Sequence, residues 1–251
     1  MYCNAATKGE ERMIWFAICT LRRSQALVRS VFVVIPALLL AVPICTAQAM
    51  QKGISVDLPV TSSAVSIPDA DREGALIVSI TEDGSVYFGT NPTSPSALRE
   101  TVQSRLSNQT EKTLYIKADA RTRYANVLKV LGAVRTVGVE PTLLTAQPDS
   151  SEAGTVMPPK GFDVLLGPPS ASDSIVLELL NSGQRTPTLK INNGPIAWAN
   201  LQTDLRQLLH NRSEKMILIK ADGLLPFAQV VEVMDACNST GAKVVLITPG
   251  L

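Results

Sequence analysis

Two short words in this 251-residue chain set a lysine two positions before an aspartate at the end of an apolar run. They are Lys117/Asp119 in LYIKAD and Lys220/Asp222 in MILIKAD. A lysine and a carboxylate in a cleft could share acid–base work. Each pair, however, stands between a strand-like and a helix-like stretch, where aspartate commonly binds local backbone N–H groups. Asp119 and Asp222 are therefore read as structural caps. Other reactive residues are sparse. The single histidine, His210, ends an amphipathic helical pattern, and Cys237 stands alone in another, apart from Cys3, Cys19 and Cys45 near the N-terminus. A lone thiol in a helix is ordinarily a small core residue. No nucleophile elbow, phosphate loop, H-E-x-x-H or paired-cysteine spacing occurs in the sequence. The expectation is a protein that is not an enzyme, with no catalytic residue, no cofactor and no metal.

A different kind of chemistry is legible in Val56-Asp57-Leu58-Pro59. Alternating Val56 and Leu58 could add to a sheet edge, at home or on a partner, and Pro59 ends the run because it has no N–H to donate. Val164, Leu165 and Leu166 form the counterpart further on. These seven residues are the partner-contact candidates.

The elements that would position them repeat. EKTLYIKADARTRYANVLKVLGAVRTVGVEPTLLT from Glu111 aligns without a gap on EKMILIKADGLLPFAQVVEVMDACNSTGAKVVLIT from Glu214, 103 residues later. In each copy the pattern predicts ββαβαβ: strands Ala75–Thr81 and Ser85–Gly89 around a Glu82-Asp83-Gly84 turn, a helix opened by Ser94-Pro95, a strand at Thr113–Lys117, a helix from Tyr124 and a strand at Thr142–Thr145. The second copy predicts strands Ser174–Leu180 and Thr188–Ile191, helix Trp198–Leu209, strand Met216–Lys220, helix Phe227–Thr240 and strand Val244–Thr248. The fold class expected is α+β: two tandem domains, each a small mixed sheet with two helices on one face, behind one N-terminal apolar helix. The domains expected are 50–147 and 160–251, joined by a polar linker over 148–159.

Composition narrows the function. Net charge is +1, apolar residues are 45% and aromatics 4%. That excludes a disordered charged tail, a polytopic membrane protein and a nucleic-acid binder with basic patches or stacking platforms. Residues 1–30 form a basic tail, and Arg22, Arg23 and Arg29 precede the apolar run Val31–Ala47. Such a flank keeps the N-terminus cytoplasmic. The segment 31–49 reads either as a transmembrane anchor or as a signal cleaved after Ala49. Either way the bulk of the chain leaves the cytoplasm.

Order and spacing together resemble the periplasmic domain of the ExbD/TolR family, found twice. GISVDLP, IVSITEDGSVYF, LYIKAD and NVLKVLGAVRTVGV carry the likeness in the first copy. MILIKAD and FAQVVEVMDACNSTGAKVVLIT carry it in the second. The resemblance implies a biopolymer transport component of a proton-motive-force-coupled complex in the cell inner membrane, single-pass with its bulk in the periplasm. It also implies an ExbB/TolQ-like multi-span partner, a TonB/TolA-like protein and peptidoglycan as further contacts, and dimerisation, here as a homodimer or as an intrachain pseudo-dimer. The alternative is a secreted periplasmic module that binds protein or peptidoglycan without a transport role. One departure matters. The family's membrane helix carries a proton-carrying Asp whose place falls near Val34, and Val31–Ala47 contains no carboxylate. An intramembrane acid is costly and is retained for work such as proton relay. Its loss implies an accessory subunit.

Overall fold

A computed structural model describes residues 53–107, 113–146, 159–167 and 174–248. All lie in one compact unit, 48–251. The expected anchor or signal over 31–49 and most of the linker lie outside the described residues. Among those described, no helix is long and apolar enough to cross a membrane.

The chain is α+β, with two mixed sheets and four α-helices among the described residues. The first copy holds β1 (Val65–Ser66), β2 (Leu76–Ile80), β3 (Val86–Phe88), β4 (Asn91–Thr93), helix α1 (Pro95–Ser107), β5 (Leu114–Ala118), helix α2 (Tyr124–Arg135) and β6 (Pro141–Thr145). Then come β7 (Lys160–Asp163), β8 (Leu165–Gly167), β9 (Ile175–Leu180), β10 (Thr188–Ile191), β11 (Gly194–Ile196), α3 (Leu201–Leu209), β12 (Met216–Ala221), α4 (Phe227–Asn238) and β13 (Lys243–Ile247). Sheet one runs β1-β7-β6-β5-β2-β3-β4, and sheet two runs β11-β10-β9-β12-β13-β8. In each, a parallel centre (β2-β5-β6, β9-β12-β13) adjoins an antiparallel meander.

Local chemistry sets these elements. The β2–β3 turn is closed by Asp83, whose carboxylate accepts from the Thr81 and Ser85 hydroxyls and from the Ser85 amide. Gly84 sits there at φ +86°, and a Cβ on it would fall 2.2 Å from the Asn126 side chain. Ser94 Oγ accepts the Ala97 N–H and opens α1. Buried Leu98, Val102 and Leu106 of α1 recur as Leu201, Leu205 and Leu209 of α3, each 103 residues on. The faces of α2 and α4 match in the same way, Tyr124 with Phe227, Val127 with Val230 and Leu131 with Met234. Spacings of three and four put these side chains on one stripe that packs on a sheet. Their core is one continuous cluster drawn from both copies.

Three features depart from the sequence pattern. A third meander strand, β4 or β11, ends each sheet, where the sequence pattern predicts only two meander strands. Both are edge strands holding a proline, Pro92 and Pro195, and an edge tolerates proline because its missing N–H faces solvent. The expected helix Trp198–Leu209 begins as a 3-10 turn, Trp198–Asn200, and becomes α-helical at Leu201. Finally, the stretch 160–167 serves both sheets. β7 pairs antiparallel with β6 of the first copy, whereas β8 pairs parallel with β13 of the second.

Candidate partner-contact site

The segment leading into the first copy does not form a ladder along its length. Asp57 donates its N–H to Asp119 Oδ2 (3.2 Å), and its carbonyl accepts the Ala120 N–H (2.7 Å). The Pro59 carbonyl accepts the Ala146 N–H (2.9 Å), and Thr61 returns its own N–H to the Ala146 carbonyl (2.9 Å). Val56 and Leu58 are half-buried, Asp57 exposed and Pro59 buried. The second lead-in is a true strand: Leu165 and Leu166, half-buried, pair with Val245 and Leu246, and Val164 is fully buried. One lead-in is held by its ends, the other by a ladder, because β7 already occupies the edge of β6.

Asp119 has a buried carboxylate. Its Oδ1 accepts from the Arg121 amide (3.0 Å) and from Arg121 Nε (3.0 Å), and Oδ2 from Arg121 Nη2 (3.1 Å). Burial opposes the charged form, but the Arg121 bonds and the Asp57 amide outweigh it and hold the carboxyl below its ordinary value. Arg121 also reaches Glu82 (3.0 Å) and Asp57 (3.7 Å), which ties the lead-in to the β2–β3 turn. Asp222 accepts the Leu224 N–H (2.9 Å). Both aspartates thus close a turn two residues on. The N-cap positions of α2 and α4 belong to Arg123 and Pro226, which carry no side-chain cap.

The paired lysines diverge. Lys220 forms an ion pair with Glu178 (2.8 Å), its neighbour across β9 and β12. In the first copy the corresponding neighbour of Lys117 is Ser79. Both are buried beneath the segment 53–75, where Ala70 packs with Ile77, Tyr115 and Leu144. Burial lowers the Lys117 ammonium from its ordinary value, and the Asp71 carboxylate works against that shift. His210 bonds its neighbour Asn211 (2.9 Å). Burial pushes the Cys237 thiol up to about 12, so it is a core residue rather than a nucleophile.

Where the two copies meet, their contacts are reciprocal. Tyr124 N–H donates to the Leu225 carbonyl (2.8 Å), and Phe227 N–H donates to the Thr122 carbonyl (2.8 Å). Ala125 N–H donates to Gly223 (2.9 Å), and Ala228 N–H to Ala120 (2.9 Å). Each bond becomes its partner when 103 is added to one residue number and subtracted from the other, the signature of a two-fold contact. A Cβ on Gly223 would lie 3.0 Å from Ala125 Cβ, so the backbones approach closely.

Sequence reasoning missed the clamp that fastens the first lead-in to the second copy. Asp235, in the last turn of α4, accepts the N–H groups of Ser62 (2.9 Å) and Ser63 (2.8 Å) and the Ser63 hydroxyl (2.6 Å). Asn238 Nδ2 donates to the Ser63 carbonyl (3.1 Å). Nothing local in the sequence signals a contact across more than 170 residues.

A family model described as biopolymer transport protein ExbD/TolR matches the chain twice, over residues 30–149 and 143–249. The chain is also similar to the Tol-Pal system protein TolR of Pseudomonas aeruginosa strain PAO1, 28% identical over 112 residues that cover 40% of this chain and 76% of that protein. No solved structure matches it. With both matched segments spanning a whole structural copy, the chain belongs to the ExbD/TolR family of biopolymer transport proteins.

Proposed function

We propose that this protein is an accessory, envelope-side subunit of a Tol- or Exb-type energy-transducing complex, acting through protein contacts rather than through a proton carrier of its own. The observation that carries the reading is the acid-free apolar run Val31–Ala47 standing before two fused family modules. Without a carboxylate at membrane depth, this segment has no proton carrier of the family's kind. In this reading 31–49 anchors the chain in the inner membrane, single-pass, with the N-terminus cytoplasmic and residues 50–251 in the periplasm. Its partners are an ExbB/TolQ-like multi-span subunit and, on the periplasmic side, a TonB/TolA-like protein or peptidoglycan. The pair of copies takes the place of a homodimer within one chain, and the lead-in residues Val56–Pro59 and Val164–Leu166 are the candidate contacts.

Crosslinking and pull-down from membranes tests location and partner together. The reading expects intact protein in the membrane fraction, joined to a multi-span subunit. A soluble product beginning at Met50 and no membrane partner would replace it with the secreted binding module.

A further inference from the structure

An open groove of about 750 Å³ lies on the second copy, between the lead-in segment of the first and the outer faces of α3 and α4. Its volume falls in the range of ligand and peptide clefts. Val60 lines it, more than half exposed. Trp198 also lines it, with its indole N–H tied to the Pro187 carbonyl (2.8 Å), so the ring is held in place. The charged residues lining the groove are Glu232 and Asp235, with no lysine or arginine among them. Asp235 spends both oxygens on Ser62 and Ser63, whereas Glu232 is exposed and makes no ion pair among the described residues.

The duplication supplies an internal comparison. Moving 103 residues back, Glu232 corresponds to Lys129, Gln202 to Arg99 and Trp198 to Pro95. Lys129 and Arg99 are exposed on the equivalent helix face of the first copy, where the one acid is Glu100 in the place of Thr203. Two copies of one ancestral module thus carry opposite charge at the same position, and one alone has an aromatic wall.

We propose that the groove receives an extended segment of a partner protein that carries lysine or arginine between apolar residues. Its cation lies against Glu232 and the Trp198 ring, and an apolar neighbour lies against Val60. A carboxylate beside an aromatic face suits a cation on an apolar stem. The first copy's basic face repels the same segment, so one chain takes one such partner despite its doubled fold. The proposal stands apart from the loss of the proton carrier, since it rests on the groove alone.

The test uses the full chain in detergent and a short labelled peptide alternating lysine and valine. The expected result is saturable binding that weakens as salt rises and disappears when glutamate replaces every lysine in the peptide. Glu232→Lys is expected to cost at least about tenfold in affinity, with an unchanged melting temperature showing an intact fold. Trp198→Leu is expected to weaken binding severalfold, and Lys129→Glu, in the first copy, to leave it unaltered. Should Glu232→Lys melt early, Glu232→Gln replaces it and must also weaken binding. Equal binding of the glutamate peptide, or affinity indifferent to residue 232, overturns the proposal. So does salt-sensitive self-association in sedimentation that Glu232→Lys abolishes, since the groove would then be covered by a second copy of the chain.

Discussion

Tyr124 and Phe227 occupy the same place in the two copies, both are buried, and only Tyr124 carries a hydroxyl. That hydroxyl has no hydrogen-bond partner among the described residues, and burial raises its pKa. An unpaired buried polar group costs about 1–3 kcal/mol. Tyr124→Phe is therefore expected to stabilise the protein by roughly 1 kcal/mol in denaturant unfolding, following the solution the second copy already uses. Asp119 is the opposite case. Its depressed carboxyl pKa means that the charged form favours the folded state. The stabilisation is present above its ordinary value of 3.8 and is lost as pH falls through the lower folded value. Asp119→Asn should destabilise at neutral pH by about 1–2 kcal/mol, and the difference from the parent should shrink in acid. Melting curves at several pH values check this; a gap that does not narrow would contradict it.

At the scale of elements, what could be read from sequence and what could not separate cleanly. Helices α1 to α4 and strands β2, β5, β9 and β12 announce themselves through spacing, because one buried stripe or alternation fixes each. Strands β4 and β11 hide behind their prolines, which argue against a strand unless its edge position is known. The sharing of 160–167 between sheets is hidden for another reason: a strand's pattern says that it will be paired but not with which neighbour. Lys117 and Lys220 look alike in sequence, yet one is buried beneath residues 53–75 and the other faces Glu178, because Ser79 and Glu178 lie on strands whose alignment is offset from that of the rest. The clamp at Asp235 is likewise a product of the assembled fold. It satisfies two backbone donors of the lead-in as a capping carboxylate would. Asp235→Ala should free Ser62 and Ser63, raising amide exchange over residues 60–66 ahead of global unfolding and costing about 1–2 kcal/mol. Unchanged exchange there would show the lead-in to be held by other means.

Across the whole molecule, the two copies meet within one chain through a reciprocal, two-fold-like contact. The core cluster runs through both copies, and four reciprocal backbone bonds join them, so the described fold should melt as one cooperative unit. Leu131→Ala, a cavity in the first copy alone, should cost about 2–5 kcal/mol and lower the melting of both copies together; two separated transitions in calorimetry would show independent domains. In the proposed reading, the joined pair of copies behind an apolar run without a carboxylate holds partners rather than converting a proton gradient. The most direct measurement is proton-driven activity of a complex reconstituted with an ExbB/TolQ-like subunit and this chain as its sole small subunit. No such activity is expected; proton-coupled activity supported by this chain unaided would overturn the accessory role.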